Sequence, residues 1–176
     1  PGVAKALMTT VHGYTSTQAL VDSSSRKKGD FLRGRAAAQN IIPATTGAAK
    51  ATVKTLPGLN GLFDAMAMRV PVPAGSIIDL TFLAKRQTSI EEINQIMVDA
   101  ANNPRWQGIV RVSEEPLASS DILGETHTTI FQPAYTKVID GDLVKVFAWY
   151  DNEWGYSHTL IEHVAQLGQI LNSGNA

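Results

Sequence analysis

The chain has 176 residues, of which 44% are hydrophobic and 18% charged, a balance typical of one globular domain with a sizeable core. Its formal net charge of −1 gives no general field for nucleic acid or an acidic membrane, so an anion site must come from local clusters. No apolar run spans a bilayer and no signal-peptide pattern is present, so we expect a cytoplasmic protein. The absence of cysteine excludes disulfides, thiolate zinc sites and a cysteine nucleophile within these residues, and no metal site is predicted.

The first predicted element is a buried strand. Residues 5–11 (KALMTTV) mix apolar and β-branched side chains, and the strand should end near His12. A histidine at a strand end can act as a general base, or loop hydrogen bonds can hold it in a structural role, and the residues alone leave both open. Residues 18–34 are polar and lack periodicity. They predict a long loop, which in a compact domain usually serves a function.

Residues 30–50 (DFLRGRAAAQNIIPATTGAAK) carry the main candidate for an anion site. Thr45 or Thr46 can cap a helix, Gly47 lets a ligand approach the backbone, and the next three residues favour helix. Free N–H groups at a helix start bind anions, and Arg33 can close over the same anion because a guanidinium matches phosphate oxygens. Plain helix capping is the alternative explanation of this pattern.

Two further strands are predicted over residues 65–71 and 76–84, joined by a Pro-Ala-Gly turn. Arg69 interrupts the apolar pattern of the first of them. An arginine in a buried strand needs a partner, which is either a carboxylate such as Asp79 or the anion of a ligand. The sequence leaves both partners open.

A capping box of Ser89 and Glu92 predicts the start of a helix, and an apolar stripe extends it to about residue 101. Three strands follow, over residues 109–112, 126–131 and 143–149. The last two of them flank a hairpin turn at Asp140 and Gly141.

The chain closes with an aromatic-rich turn (WYDNEWGY) and a helix that runs to about Leu171. The aromatic side chains can pin this helix to a sheet, or they can hold the amide of Asn152 against a ligand. We expect mostly sequential, hairpin-linked strands in an α+β domain, with a mainly antiparallel or mixed sheet and helices packed on one face. No G-x-G-x-x-G fingerprint appears, so the chain has no dinucleotide half of its own.

Four stretches together resemble one family. They read LMTTVHGYT from residue 7, RAAAQNIIPATTGAAK from residue 35, MAMRVP from residue 66 and WYDNEWGY from residue 149. In this order they closely resemble the catalytic domain of phosphorylating glyceraldehyde-3-phosphate dehydrogenases, over about residues 4–171. The resemblance implies a glycolytic oxidoreductase that converts glyceraldehyde 3-phosphate, NAD(P) and phosphate to 1,3-bisphosphoglycerate through a cysteine thioester. Erythrose-4-phosphate dehydrogenase shares the scaffold and is the alternative.

The resemblance also implies roles for the residues near the first strand. His12 matches the family's base, which pairs with the catalytic thiolate and then stabilises the developing oxyanion. Thr15 and Arg69 match the residues that hold the phosphate of the substrate, which would explain an arginine in an apolar strand.

Further roles are implied for the loop, the helix start and the last turn. Arg33, Thr46 and Gly47 match the site of the attacking inorganic phosphate. Asn152 matches the residue that bonds the nicotinamide carboxamide, and Tyr156 is expected to pack beside it.

Residues from about 14 to 39 resemble the S-shaped loop of the family, which lies at the tetramer interface near a neighbour's cofactor and implies a homotetramer. Ser23 and Ser24 stand where NAD-specific members often carry Gly-Pro or Leu-Pro. A serine hydroxyl can bond a 2′-phosphate, and the basic cluster of Arg26, Lys27 and Lys28 would add positive charge. NADP is therefore an alternative to NAD.

The catalytic cysteine of the family corresponds to a position before Pro1. We therefore expect residues 1–176 to be a catalytic-domain fragment that is inactive alone and whose cofactor is bound mainly by a domain outside it. The expected partners are a sugar phosphate and inorganic phosphate, with no nucleic acid and no membrane. The alternative from another class is a non-catalytic binding or assembly module, because the sheet face and the S-shaped loop are oligomer surfaces in the family.

Overall fold

The computed structural model describes residues 1–25 and 28–173. Arg26 and Lys27, two members of the basic cluster, lie outside the described residues. The strands in chain order are β1 Val3–Gly13, β2 Ile42–Thr45, β3 Phe63–Val70, β4 Ser76–Ala84, β5 Val110–Val112, β6 Thr129–Phe131, β7 Lys137–Ile139 and β8 Leu143–Tyr150. The α-helices are α1 Ala48–Thr55, α2 Ile90–Ala101 and α3 Trp154–Ser173.

The strands form one mixed sheet in the order β2-β3-β1-β4-β8-β6-β5, with β7 beside β8. Strand β1 runs parallel to β3 and antiparallel to β4, and β5 runs parallel to β6. The other pairings are antiparallel. The predicted α+β class with a mixed sheet is therefore confirmed.

The expectation of mostly hairpin-linked strands is wrong at the centre of the sheet, because β3 and β4 lie on opposite sides of β1. Their connection, residues 71–75, crosses the end of β1, where the Tyr14 N–H donates to the Val72 carbonyl at 3.0 Å. A Cβ on Gly13 would lie 2.7 Å from that same carbonyl oxygen, so the crossing requires glycine there. The turn at Asp140 and Gly141 is confirmed, with positive φ at both residues (49° and 73°). The strand that it joins to β8 is the short β7, however, and not the predicted strand over residues 126–131.

The core lies between the sheet and α2. Ile93 of α2 is buried with Ala6, Phe82, Ala84 and Val144 from the central strands. The predicted cap of α2 is confirmed, since the Ser89 side chain accepts from the Glu92 N–H at 3.2 Å.

Helix α3 starts on the sheet and then leaves its apolar side uncovered. A Cβ on Gly155, in its first turn, would lie 3.0 Å from the backbone of His127 and Thr128, so this turn packs tightly. Farther along, the apolar side chains that the sequence placed on one face are exposed: Leu160, Ile161, Val164, Leu167, Ile170 and Leu171. No helix in the described ranges has the length and apolar character needed to cross a bilayer.

Candidate active site

The site lies where three central strands end together. The sheet register pairs His12 of β1 with Arg69 of β3 on one side and with Ser76 of β4 on the other. Ser76 is in turn paired with Tyr150, the last residue of β8. The side chains of His12, Arg69, Ser76 and Tyr150, from four neighbouring strands, therefore form a cluster at one end of these strands.

His12 and Arg69 are in direct contact. Arg69 Nη1 lies 2.6 Å from His12 Nδ1 and donates to the Gly13 carbonyl at 3.1 Å, while Nδ1 lies 2.6 Å from the same carbonyl oxygen. A bond from Arg69 to Nδ1 requires a lone pair on Nδ1, whereas a bond to the carbonyl requires a proton there. Among the described residues no hydrogen bond reaches Nε2. The ring is therefore held from its Nδ1 side.

The surroundings of His12 favour the neutral ring. Burial lowers the pKa of His12 from 6.5, the hydrogen bond to Gly13 raises it, and the positive charge of Arg69 lowers it, with a net decrease. At neutral pH the imidazole consequently has a lone pair with which to take a proton.

Arg69 has no carboxylate partner among the described residues, and its buried Nε is without a hydrogen bond there. Asp79, the structural partner that the sequence left open, instead pairs with Lys145 at 2.7 Å. Desolvation lowers the pKa of Arg69, Tyr150 raises it and the nearby charge of Arg33 lowers it. A guanidinium stays charged in proteins, so this half-buried cation favours an anion.

The loop brings Thr15 and Arg33 to the same region. Arg33 Nη1 donates to Thr17 Oγ1 at 2.6 Å, and Thr17 Oγ1 lies 3.1 Å from Thr15 Oγ1. Asp30 anchors Arg33 through an ion pair of 2.7 Å at Nε. Because Arg33 and Arg69 repel each other, an anion between them would relieve that repulsion.

Thr46 and Gly47 lie farther along the sheet. The N-cap of α1 is Gly47 and not one of the threonines, although the Thr46 hydroxyl accepts from the Ala48 N–H at 3.2 Å, and the Cβ position of Gly47 is open. The register sets Ile42 of β2 against Arg69 and Thr45 against Met66. At about 3.3 Å per residue, the backbone of Thr46 is thus roughly 13 Å along the strand from Arg69. The structure groups Arg33 with Thr15 and sets Thr46 and Gly47 apart.

Asn152 approaches the cluster from the turn after β8. Ser76 donates its hydroxyl proton to Asn152 Oδ1. Asn152 Nδ2 is buried and has no hydrogen-bond partner in the described part of the chain. Tyr156 is 69% exposed, and neither a ring contact nor a hydrogen bond joins it to Asn152 among the described residues.

Sequence reasoning missed two members of the cluster. The Tyr150 hydroxyl bonds Thr10 Oγ1 at 2.7 Å, and its ring meets the ring of His12 edge-on at 5.9 Å. Ser76 had one signal, a polar residue at the buried start of an apolar strand, and it is 1% exposed. Such a residue needs a hydrogen-bond partner, but the partner is distant in sequence.

Comparison with known proteins gives one consistent result. A family model described as "Glyceraldehyde 3-phosphate dehydrogenase, C-terminal domain" matches residues 1–152. The chain itself is 45% identical to glyceraldehyde-3-phosphate dehydrogenase 2 of Streptomyces avermitilis over 170 residues. This alignment includes 97% of the chain and 50% of that protein. The chain is 46% identical over the same share to the glyceraldehyde-3-phosphate dehydrogenases of Mycobacterium avium and Mycolicibacterium smegmatis, covering 49% and 48% of them. The chain thus spans about half the length of the curated relatives it matches.

Proposed function

The chain belongs to the family of glyceraldehyde 3-phosphate dehydrogenase C-terminal domains, and from this premise we propose that residues 1–176 serve as the catalytic domain of such an oxidoreductase. The reaction is the oxidation and phosphorylation of glyceraldehyde 3-phosphate with NAD or NADP. One observation carries the proposal: Arg69, a half-buried cation without a carboxylate partner in the described residues, touches a neutral His12. That pair combines an anion site with a proton acceptor.

Arg69 and Thr15 hold the phosphate of the sugar. When a phosphate oxygen accepts the N–H groups of Arg69, the contact between Arg69 and His12 Nδ1 is released. The ring then changes tautomer by exchange with solvent: Nε2 loses its proton, Nδ1 takes one up, and the Nδ1–H donates a hydrogen bond to the Gly13 carbonyl. The lone pair then lies on Nε2, the nitrogen that has no partner in the described residues. Phosphate binding thus sets the tautomer in which His12 acts as a base.

Arg33, Thr46 and Gly47 are assigned to the inorganic phosphate. The separation of roughly 13 Å between Thr46 and Arg69 along the strand supports two anion sites instead of one. Arg33 lies on the side of Thr15, so its guanidinium would have to extend between the two sites.

The cofactor contact is assigned to Asn152, with Tyr156 on the following helix. The unpartnered Nδ2 of Asn152 fits a carbonyl oxygen such as that of the nicotinamide carboxamide. When bound, the nicotinamide accepts the hydride from the substrate. The exposed Ser24 supports NADP as an alternative to NAD, and kcat/KM for the two cofactors in the complete enzyme decides between them.

The nucleophile must come from outside these residues, because the chain contains no cysteine. We therefore propose that the isolated chain is inactive. A separate proposal, from the family resemblance of the loop over residues 14–39, is that the complete protein is a homotetramer. A fusion of this chain to the amino-terminal half of the Mycolicibacterium smegmatis relative should form NADH when aldehyde and phosphate are present, while the isolated chain should not. A fusion that folds, binds NAD and stays inactive would refute the assigned reaction.

The anion site can be tested on the chain itself by NMR titration with inorganic phosphate and glyceraldehyde 3-phosphate. Arg69→Met should weaken binding of the sugar phosphate about ten-fold or more, because one charge-assisted contact is lost. Arg105→Met is the matched control, since Arg105 stacks on Trp106 at 5.2 Å and is remote from the site in sequence and contacts. Equal affinities of the Arg69→Met variant and the unaltered chain would contradict the proposed site.

A further inference from the structure

Ser76 occupies a special place in the sheet. It is the first residue of β4, it is 1% exposed, and it lies between His12 of β1 and Tyr150 of β8 in the register. A hydroxyl buried to this degree must be satisfied by neighbouring groups.

The two bonds of the Ser76 hydroxyl have fixed directions. The backbone N–H of Gly13 donates to Ser76 Oγ at 3.3 Å, and an N–H can only donate. The single hydroxyl proton therefore remains for Asn152, and the atom that receives it is Oδ1. Both bonds are satisfied only when the carbonyl end of the amide faces Ser76.

The direction of the Asn152 amide follows from these bonds. A flipped amide would turn Nδ2 toward Ser76, and the hydroxyl proton would lose its acceptor in a buried place. In the observed direction Nδ2 is the end without a partner among the described residues. It also lies 3.2 Å from the position of a Cβ on Gly13, so the missing side chain of Gly13 makes room for it.

We propose that Ser76 is a positioning residue, whose hydroxyl fixes the Asn152 carboxamide so that it offers an N–H donor, and not a carbonyl acceptor, to a bound ligand. The group recognised there is a carbonyl oxygen, which in the proposed function belongs to the nicotinamide carboxamide. The inference about the ligand rests on that proposed function, whereas the orientation of Asn152 is a property of this chain alone.

The orientation is tested first by ¹⁵N NMR of the chain without any ligand. The Nδ2 cross peaks of Asn152, identified by their loss in Asn152→Asp, should shift and exchange with solvent several-fold faster in Ser76→Ala. Ser76→Cys, which keeps a weak donor of similar shape, should give an intermediate result and also serves if Ser76→Ala does not fold. Ser113→Ala is the control, because Ser113 is likewise buried and, within residues 1–25 and 28–173, its hydroxyl accepts only from the Glu115 N–H, outside the site.

The consequence for the ligand is tested in the active fusion enzyme. Ser76→Ala should raise KM for NAD roughly ten-fold, the size of one misdirected hydrogen bond, with KM for the sugar phosphate unchanged. Unchanged Asn152 signals in a folded Ser76→Ala chain would overturn the positioning role and leave the proposed function standing. Altered signals with an unchanged KM for NAD would overturn the assigned ligand, and equal losses for both substrates would show a purely structural serine.

Discussion

Asp151 joins the end of β8 to the start of α3, and replacing its side chain should destabilise this junction. Its Oδ1 accepts from the N–H groups of Glu153 (2.9 Å) and Trp154 (2.8 Å), and its Oδ2 accepts from Gly124 at 3.0 Å. The side chain is only 5% exposed. Asp151→Ala therefore removes a helix cap and leaves a partly buried N–H without its acceptor.

The expected cost follows from these two losses. A helix cap contributes about 1–2 kcal/mol and an unsatisfied buried N–H costs about 1–3 kcal/mol, so the free energy of unfolding should fall by roughly 3 kcal/mol. For a chain of this size that corresponds to a Tm decrease of about 6–12 °C. Asp151→Asn should lose about half as much, since Oδ1 can still cap α3 while an amide N–H faces the Gly124 N–H.

Urea unfolding followed by circular dichroism measures this loss, with Asp99→Ala as the control for an exposed aspartate whose partner is the Gln95 amide. Burial alone raises the pKa of Asp151, but the N–H groups of Trp154, Glu153 and Gly124 outweigh it and lower the pKa below 3.8. The stabilisation is therefore complete above pH 3.8 and is lost as pH falls through the folded-state pKa, so the two chains should converge in acid. A loss under about 1 kcal/mol at pH 7 would refute this account of the junction.

Three further outcomes are expected. The C–H resonances of His12 should titrate below 6.5, and in Arg69→Met the midpoint should rise because a nearby positive charge is removed; a midpoint that stays or falls would contradict the contact. Gly75→Ala should lower the free energy of unfolding by roughly 2–3 kcal/mol in urea, because Gly75 has φ +87° and a Cβ would lie 2.5 Å from the Ser119 carbonyl oxygen; a neutral effect would show that the connection relaxes. Ser89→Ala should cost about 1 kcal/mol in the same assay through loss of the α2 cap, and an unchanged midpoint would mean that the helix start is stabilised otherwise.

Local patterns predicted local structure well. The cap at Ser89 and the turn at Asp140 involve neighbours in sequence, and both are found in the structure, although the Glu92 carboxylate bonds Arg86 and Thr88 instead of closing the predicted capping box. Arg69 was identifiable because a charge in an apolar strand contradicts its surroundings, although its contact with His12 was not.

The parts of the fold and of the site that were not predicted depend on the pairing register of distant strands, which no short stretch of sequence specifies. The sequence could not show that β1 lies between β3 and β4, and so the tight crossing over Gly13 was not foreseen. The same limit applies to Ser76, whose partner Asn152 is 76 residues away. The distance of Thr46 from Arg69 follows from the antiparallel pairing of β2 with β3, a fact of topology that the Thr-Thr-Gly pattern does not carry.

The placement of β1 at the centre has a consequence for biosynthesis. His12 meets Arg69 across 57 residues of chain, and Tyr150 reaches Thr10 across 140. Of these three neighbouring strands a ribosome delivers β1 before β3 and β4, so the edges of β1 stay unpaired until the other two have emerged, and Asn152 follows only after β8. A nascent chain would therefore have exposed strand edges and no assembled pocket between the synthesis of β1 and that of the turn after β8, a period in which chaperones can act.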